Sequence, residues 1–94
     1  MKKGWTLGSA ESFLGLTSEE STYIEIKLSL ARELKNARLK KGLSQTALAL
    51  KLGSSQSRVA KMEGADSQVS LDLIVRSLLA TRKRPREIAR AVAR

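Results

Sequence analysis

Gln56, Ser57, Arg58 and Lys61 set an amide, a hydroxyl and two cations on the outer side of a short helical pattern. From Ser55 to Met62 there is no carboxylate. A face of that kind donates hydrogen bonds and positive charge, and a phosphate-bearing surface is its natural complement. The wider charge distribution has the same sense. Residues 27–64 carry nine cations against Glu33 and Glu63, net +7, and residues 76–94 carry seven cations against Glu87, net +6. Residues 1–26 and 65–75 are each net −2, and the whole chain of 94 residues is +9. A solvated surface kept soluble by like charge would have the same composition, so charge alone leaves both readings open.

Other chemistries have little to work with. There is no Cys and no His, which removes disulfides, thiol nucleophiles, the usual zinc ligands and the commonest general base near neutral pH. The acidic residues form no pair with apolar shielding, and the Ser-rich Gly53–Ser57 stretch has no base to activate a hydroxyl. Neither an enzyme nor a cofactor or metal site is expected. After Met1, Lys2 and Lys3 no apolar run of leader length follows, and no stretch approaches a membrane span. The expectation is a soluble cytoplasmic protein of one small domain with an aliphatic core.

The elements that must position the basic face can be read from periodicity and caps. Residues 1–17 hold three glycines and no sustained period, yet include Trp5, Leu7, Phe13, Leu14 and Leu16. They read as an arm too apolar to stay free, and residues 18–94 as the domain. Thr17 or Ser18 caps a first helix with Glu19 and Glu20 in its first turn. Tyr23, Ile26, Leu30, Leu34 and Ala37 form its core stripe, and it ends through Lys40, Lys41 and Gly42. Ile24, Leu28 and Ala31 make a second stripe, suited either to a partner or to the arm. Ser44 caps a second helix from Gln45 to Leu52, Gly53 turns the chain, and Ser54 or Ser55 caps a third that ends near Glu63. Ser70 caps a fourth, with Leu71, Ile74, Val75 and Leu78 facing inward. Arg82, Lys83 and Arg84 connect to a last helix opened by Pro85, with Ile88, Ala89 and Val92 on one side. No strand pattern appears, so the fold is expected to be all-α with five helices.

Residues 44–63 fit a helix-turn-helix unit position by position. Leu48, Leu52, Val59 and Met62 pin the two helices, Ala49 sits where they cross, and Gly53 supplies the positive φ of the turn. Over roughly residues 30–81, the sequence (LKNARLKKGLSQTALALKLGSSQSRVAKMEGADSQVSLDLIVRSLLA) resembles the Xre/lambda-repressor-type helix-turn-helix family. The lead-in FLGLTSEESTYIEIK, the GSSQSRVAKME core and the tail RPREIARAV together resemble HigA-type antitoxin regulators.

The resemblance implies a five-helix lambda-repressor-like domain with a long first helix, and roles for particular residues. Gln56, Ser57 and Lys61 match base-reading positions; glutamine can pair bidentately with adenine, and lysine can reach guanine O6 and N7. Gln45, Ser55 and Arg58 match phosphate-side positions, with Gln45 also orienting its neighbour. Arg38 and Glu63 match a partly buried pair tying the first helix to the third. Ser54 departs from the family pattern, which has an apolar residue there. The implied function is a sequence-specific repressor on double-stranded operator DNA, acting as a homodimer, and more narrowly an antitoxin that neutralises a RelE-like ribonuclease. Ile24, Leu28, Ile88 and Val92 are the expected dimer or partner surface. The alternatives are a protein-interaction module that keeps the helices as a scaffold, and a stand-alone phage-type repressor.

Overall fold

The structure is a computed structural model and describes residues 17–81 and 84–93. The arm up to Leu16, and Arg82 and Lys83 of the basic connector, lie outside the described residues. Among the described residues five helices follow in order: α1 Ser18–Lys40, α2 Gln45–Leu52, α3 Gln56–Glu63, α4 Leu71–Ala80 and α5 Pro85–Ala93. Among the described residues there is no strand. The expected five-helix, all-α, lambda-repressor-like arrangement is the one observed.

Each helix start follows from a side chain that satisfies otherwise unpaired N–H groups. Thr17 and Glu20 form a reciprocal capping box at α1. Ser44, Ser55 and Ser70 accept from the backbone N–H groups of Ala47, Arg58 and Leu73 at α2, α3 and α4. Pro85 opens α5, and Glu87 reaches back to accept from the Arg84 N–H. Of the two serines that could cap α3, Ser55 does so.

Three helix ends share one device. After α1 the N–H of Leu43 donates to Arg38 O and that of Gly42 to Leu39 O, with Gly42 at φ 69°. After α2 the N–H of Ser54 donates to Ala49 O and that of Gly53 to Leu50 O, with Gly53 at φ 65°. After α3 the N–H of Asp66 donates to Lys61 O and that of Ala65 to Met62 O. Here the left-handed residue is Ala65, at φ 53°, while Gly64 lies one position too early.

Helix α1 is the spine, packed against α3, α4 and α5, while α2 lies on α3. Leu30, Ala31, Leu34, Leu48, Ala49, Val59, Met62, Val69, Ile74, Leu78 and Ala91 make the buried core. Full burial of each large aliphatic stabilises by about 1.5–3 kcal/mol, which is what fixes α3 rigidly on α1 and α2. Two expectations about packing are corrected. Tyr23 stands 45% exposed rather than in the core stripe. Its place on that face is continued by Lys27, a buried lysine whose ammonium donates to Asp66 O at 3.0 Å. In α5 the core residue is Ala91, with Ile88 half-buried beside it, while Ala89 and Val92 face outward.

Candidate nucleic-acid interface

The outer side of α3 is held by a hydrogen-bonded chain that begins deep in the domain. Arg38, near the C-terminal end of α1, meets Glu63 at the end of α3. Its Nε donates to Oε2 at 2.6 Å and its Nη2 to Oε1 at 3.1 Å, a bidentate pair with side chains 10% and 4% exposed. The third arm of the guanidinium, Nη1, donates to Leu43 O at 2.8 Å. Arginine, with its planar fork, suits this position; a lysine would satisfy fewer acceptors. The hydrogen bond to Glu63 raises the Arg38 guanidinium above its ordinary value, burial opposes the rise, and the carboxylate's charge adds to it.

Glu63 also accepts from Gln45 Nε2 at 3.1 Å, through the oxygen that receives Nη2. Gln45 in turn accepts, at its Oε1, a bond from Gln56 Nε2 at 2.7 Å. The first residue of α2 and the first residue of α3 are therefore linked amide to amide, and the link is anchored on a buried ion pair. Both flips are fixed by this network: Gln45 must turn its NH2 to the carboxylate, which leaves its oxygen for Gln56. Gln56 keeps its own amide oxygen and one N–H for an external partner.

The other residues of the face are placed more loosely. Ser57 and Arg58 are exposed on the first turn of α3, and Ser55 is exposed while its hydroxyl serves the cap. Lys61, one turn further on, donates to Gln68 Oε1 at 2.9 Å. Gln68 is itself fixed by its N–H to Asp66 Oδ1 at 2.7 Å. The loop Gly64–Ser70 thus steadies Lys61, a role that no spacing in the sequence signals. Lys27 does carry a signal, since it falls between Tyr23 and Leu30 on the stripe facing the core.

Ser54, where the family pattern has an apolar residue, is half-buried with its hydroxyl oxygen enclosed and without a partner. Of the four residues expected on a dimer or partner surface, Ile24, Leu28 and Val92 are exposed, whereas Ile88 packs partly against the core. Among the described residues no group of acids could hold a metal ion, and no helix is long and apolar enough to cross a membrane.

Such a face can present an oriented amide, a hydroxyl and two cations to a polyanion with edge groups to read, without opposing carboxylates. Comparison with curated proteins and with solved structures returned no match. A family model described as helix-turn-helix matches residues 34–88, more than half of the chain and the whole of α2 and α3. The chain belongs to the Xre/lambda-repressor-type helix-turn-helix family, whose domains are those of DNA-binding transcriptional regulators.

Proposed function

We propose that this regulator is a sequence-specific repressor that reads operator DNA through Gln56, Ser57 and Lys61. Ser55, Arg58 and Gln45 act on the phosphate side. The observation that carries this reading is the Arg38–Glu63–Gln45–Gln56 chain, which holds a reading amide before DNA arrives. A side chain ordered in advance loses less rotamer freedom on binding, and its bidentate bond discriminates between bases by about 1–3 kcal/mol. A single α3 touches few base pairs, so the protein acts as a cytoplasmic homodimer on a palindromic operator, its half-sites about one helical turn apart.

The narrower reading is the antitoxin of a toxin–antitoxin pair, repressing its own operon and neutralising a RelE-like ribonuclease. Its support is the resemblance of residues 13–27, 53–63 and 84–92 to HigA-type regulators. Titrating labelled DNA from upstream of the coding sequence, against a scrambled duplex of the same length, tests the repressor. Equal affinity for both duplexes at every salt concentration rejects sequence reading, and no binding to either leaves the helices as an interaction scaffold. Co-purification with the product of an adjacent ribonuclease-like gene tests the antitoxin role. Its failure leaves the stand-alone phage-type repressor.

A further inference from the structure

The N-terminal half of α1 and the loop after α3 enclose a groove of about 540 Å³ on the side of Tyr23, Ile24 and Leu28. Small-molecule sites are clefts of about 300–1,000 Å³, mostly apolar, with a few polar groups that fix orientation. Tyr23, Ile24 and Leu28 are 45%, 43% and 43% exposed, so an apolar strip stays open along α1, and Ala65 and Val69 line the groove with it. Lys27, itself 8% exposed, is the one charged residue of the lining among the described residues. We propose that this groove binds a small apolar carboxylate, its acid group on the Lys27 ammonium and its hydrocarbon along Tyr23, Ile24 and Leu28.

Charge, donors and lining each point to that class. Among the described residues, the acceptor that Lys27 Nζ has is Asp66 O, at 3.0 Å. An ammonium carries three donors, so a carboxylate can take the others. A backbone carbonyl satisfies a donor but brings no full negative charge, and a buried cation is costly until an anion offsets it. The described lining contains no carboxylate, and Asp66 gives its Oδ1 to the Gln68 N–H. Two polar groups of the lining are already engaged: the Ser70 hydroxyl caps α4, and Gln68 Oε1 accepts from Lys61. The ammonium is therefore the group that orients a ligand. An amine would meet like charge there, and a neutral hydrocarbon would cover the ammonium without pairing it. A bare phosphate would pair with it but leave the apolar strip in water. A carboxylate on a hydrocarbon chain answers both features at once.

Octanoate, octanol and acetate, titrated separately into the 15N-labelled full chain, resolve the two features. Octanoate should shift the amide signals of Ile24, Leu28, Ala65 and Val69 saturably and leave those of α2 in place. Octanol lacks the charge and acetate lacks the chain, and each should bind about tenfold or more weakly than octanoate. Lys27→Met keeps a long side chain without the ammonium. It should weaken octanoate by about tenfold or more and leave octanol binding as it was. Leu28→Asp, on the exposed strip and outside the core, should abolish the octanoate shifts in a chain that still folds. The proposal is overturned if octanoate gives no saturable shift, or if it binds Lys27→Met as tightly as the wild type. Shifts confined to Ser57, Arg58 and Lys61 would overturn it too, because octanoate would then be a counter-ion of the basic face. Groove signals that move on dilution without octanoate would give the groove to a second copy instead. DNA is absent throughout, so the outcome is separate from that of the repressor reading.

Discussion

A single carboxylate, Glu63, takes bonds from Arg38 and Gln45 at once, and so couples the stability of the domain to the aim of its reading residue. Glu63→Ala leaves the Arg38 guanidinium buried without its counter-charge and should cost about 3–5 kcal/mol in a urea titration. A loss below about 1 kcal/mol, the range of exposed pairs, would show that the pair is effectively solvated. Arg38 does not make the pair sensitive to base. Its raised pKa means that its contribution is complete everywhere below the ordinary arginine range and is lost only as pH rises through the raised value. Gln56→Ala tests the other end of the chain. It should weaken operator binding by about 1–3 kcal/mol and relax preference at one base pair, with the melting temperature little changed. If the operator affinity and the base preference both stay as they were, Gln56 is not a reading residue.

At the scale of elements, most of what positions the site could be read from caps and glycines. Ser44, Ser55, Ser70 and Gly53 act through local hydrogen bonds and torsions that depend on few neighbours. Packing choices were less legible. In α5 the run Ile88–Ala93 offers more than one apolar face, and only tertiary contact selects the face carrying Ala91. Tyr23 fits the core stripe by spacing, yet it stands exposed at the side of an open groove with Ile24 and Leu28. The end of α3 at Glu63 agrees with the sequence, while the hydrogen-bond register puts the left-handed residue at Ala65, one position after Gly64. A Cβ in that conformation costs about 1–2 kcal/mol, partly offset by glycine's greater freedom in the unfolded chain. Ala65→Gly should therefore raise stability by up to about 1 kcal/mol in thermal melts. Ser54→Val should likewise stabilise by about 1 kcal/mol, since it removes an enclosed hydroxyl without a partner and restores the apolar residue typical of the family. A fall in melting temperature for either variant would show that its side chain has a compensating contact.

At the scale of the whole molecule, the question is how two reading helices and the basic surface act together. On α5, Val92 and Ala89 face outward and offer apolar surface to a second subunit. Val92→Asp is a cleaner probe than a change at Ile88, which also belongs to the core. It should give a folded monomer in sedimentation and weaken operator binding, whereas a wild type that sediments as a monomer at tens of micromolar rules out the proposed dimer. Given a dimer, charge separates reading from anchoring. Lys51, Arg58 and Lys61, with Lys40 and Lys41 at the end of α1, are all exposed, and no carboxylate interrupts α3 before Glu63. If two subunits neutralise roughly six to ten phosphates, the binding constant should fall with salt at a log–log slope of about −0.9 per phosphate. Arg58→Ala removes a cation that approaches the backbone, so it should weaken specific and non-specific binding alike. It should also flatten the slope by about one unit for each phosphate no longer neutralised. Gln56→Ala removes no charge and should leave the slope unchanged while operator preference drops. Titrations of both variants on operator and scrambled DNA across a salt series read the two effects separately. A merely solvated basic face would treat the two variants alike, and identical salt slopes would reject phosphate anchoring by Arg58.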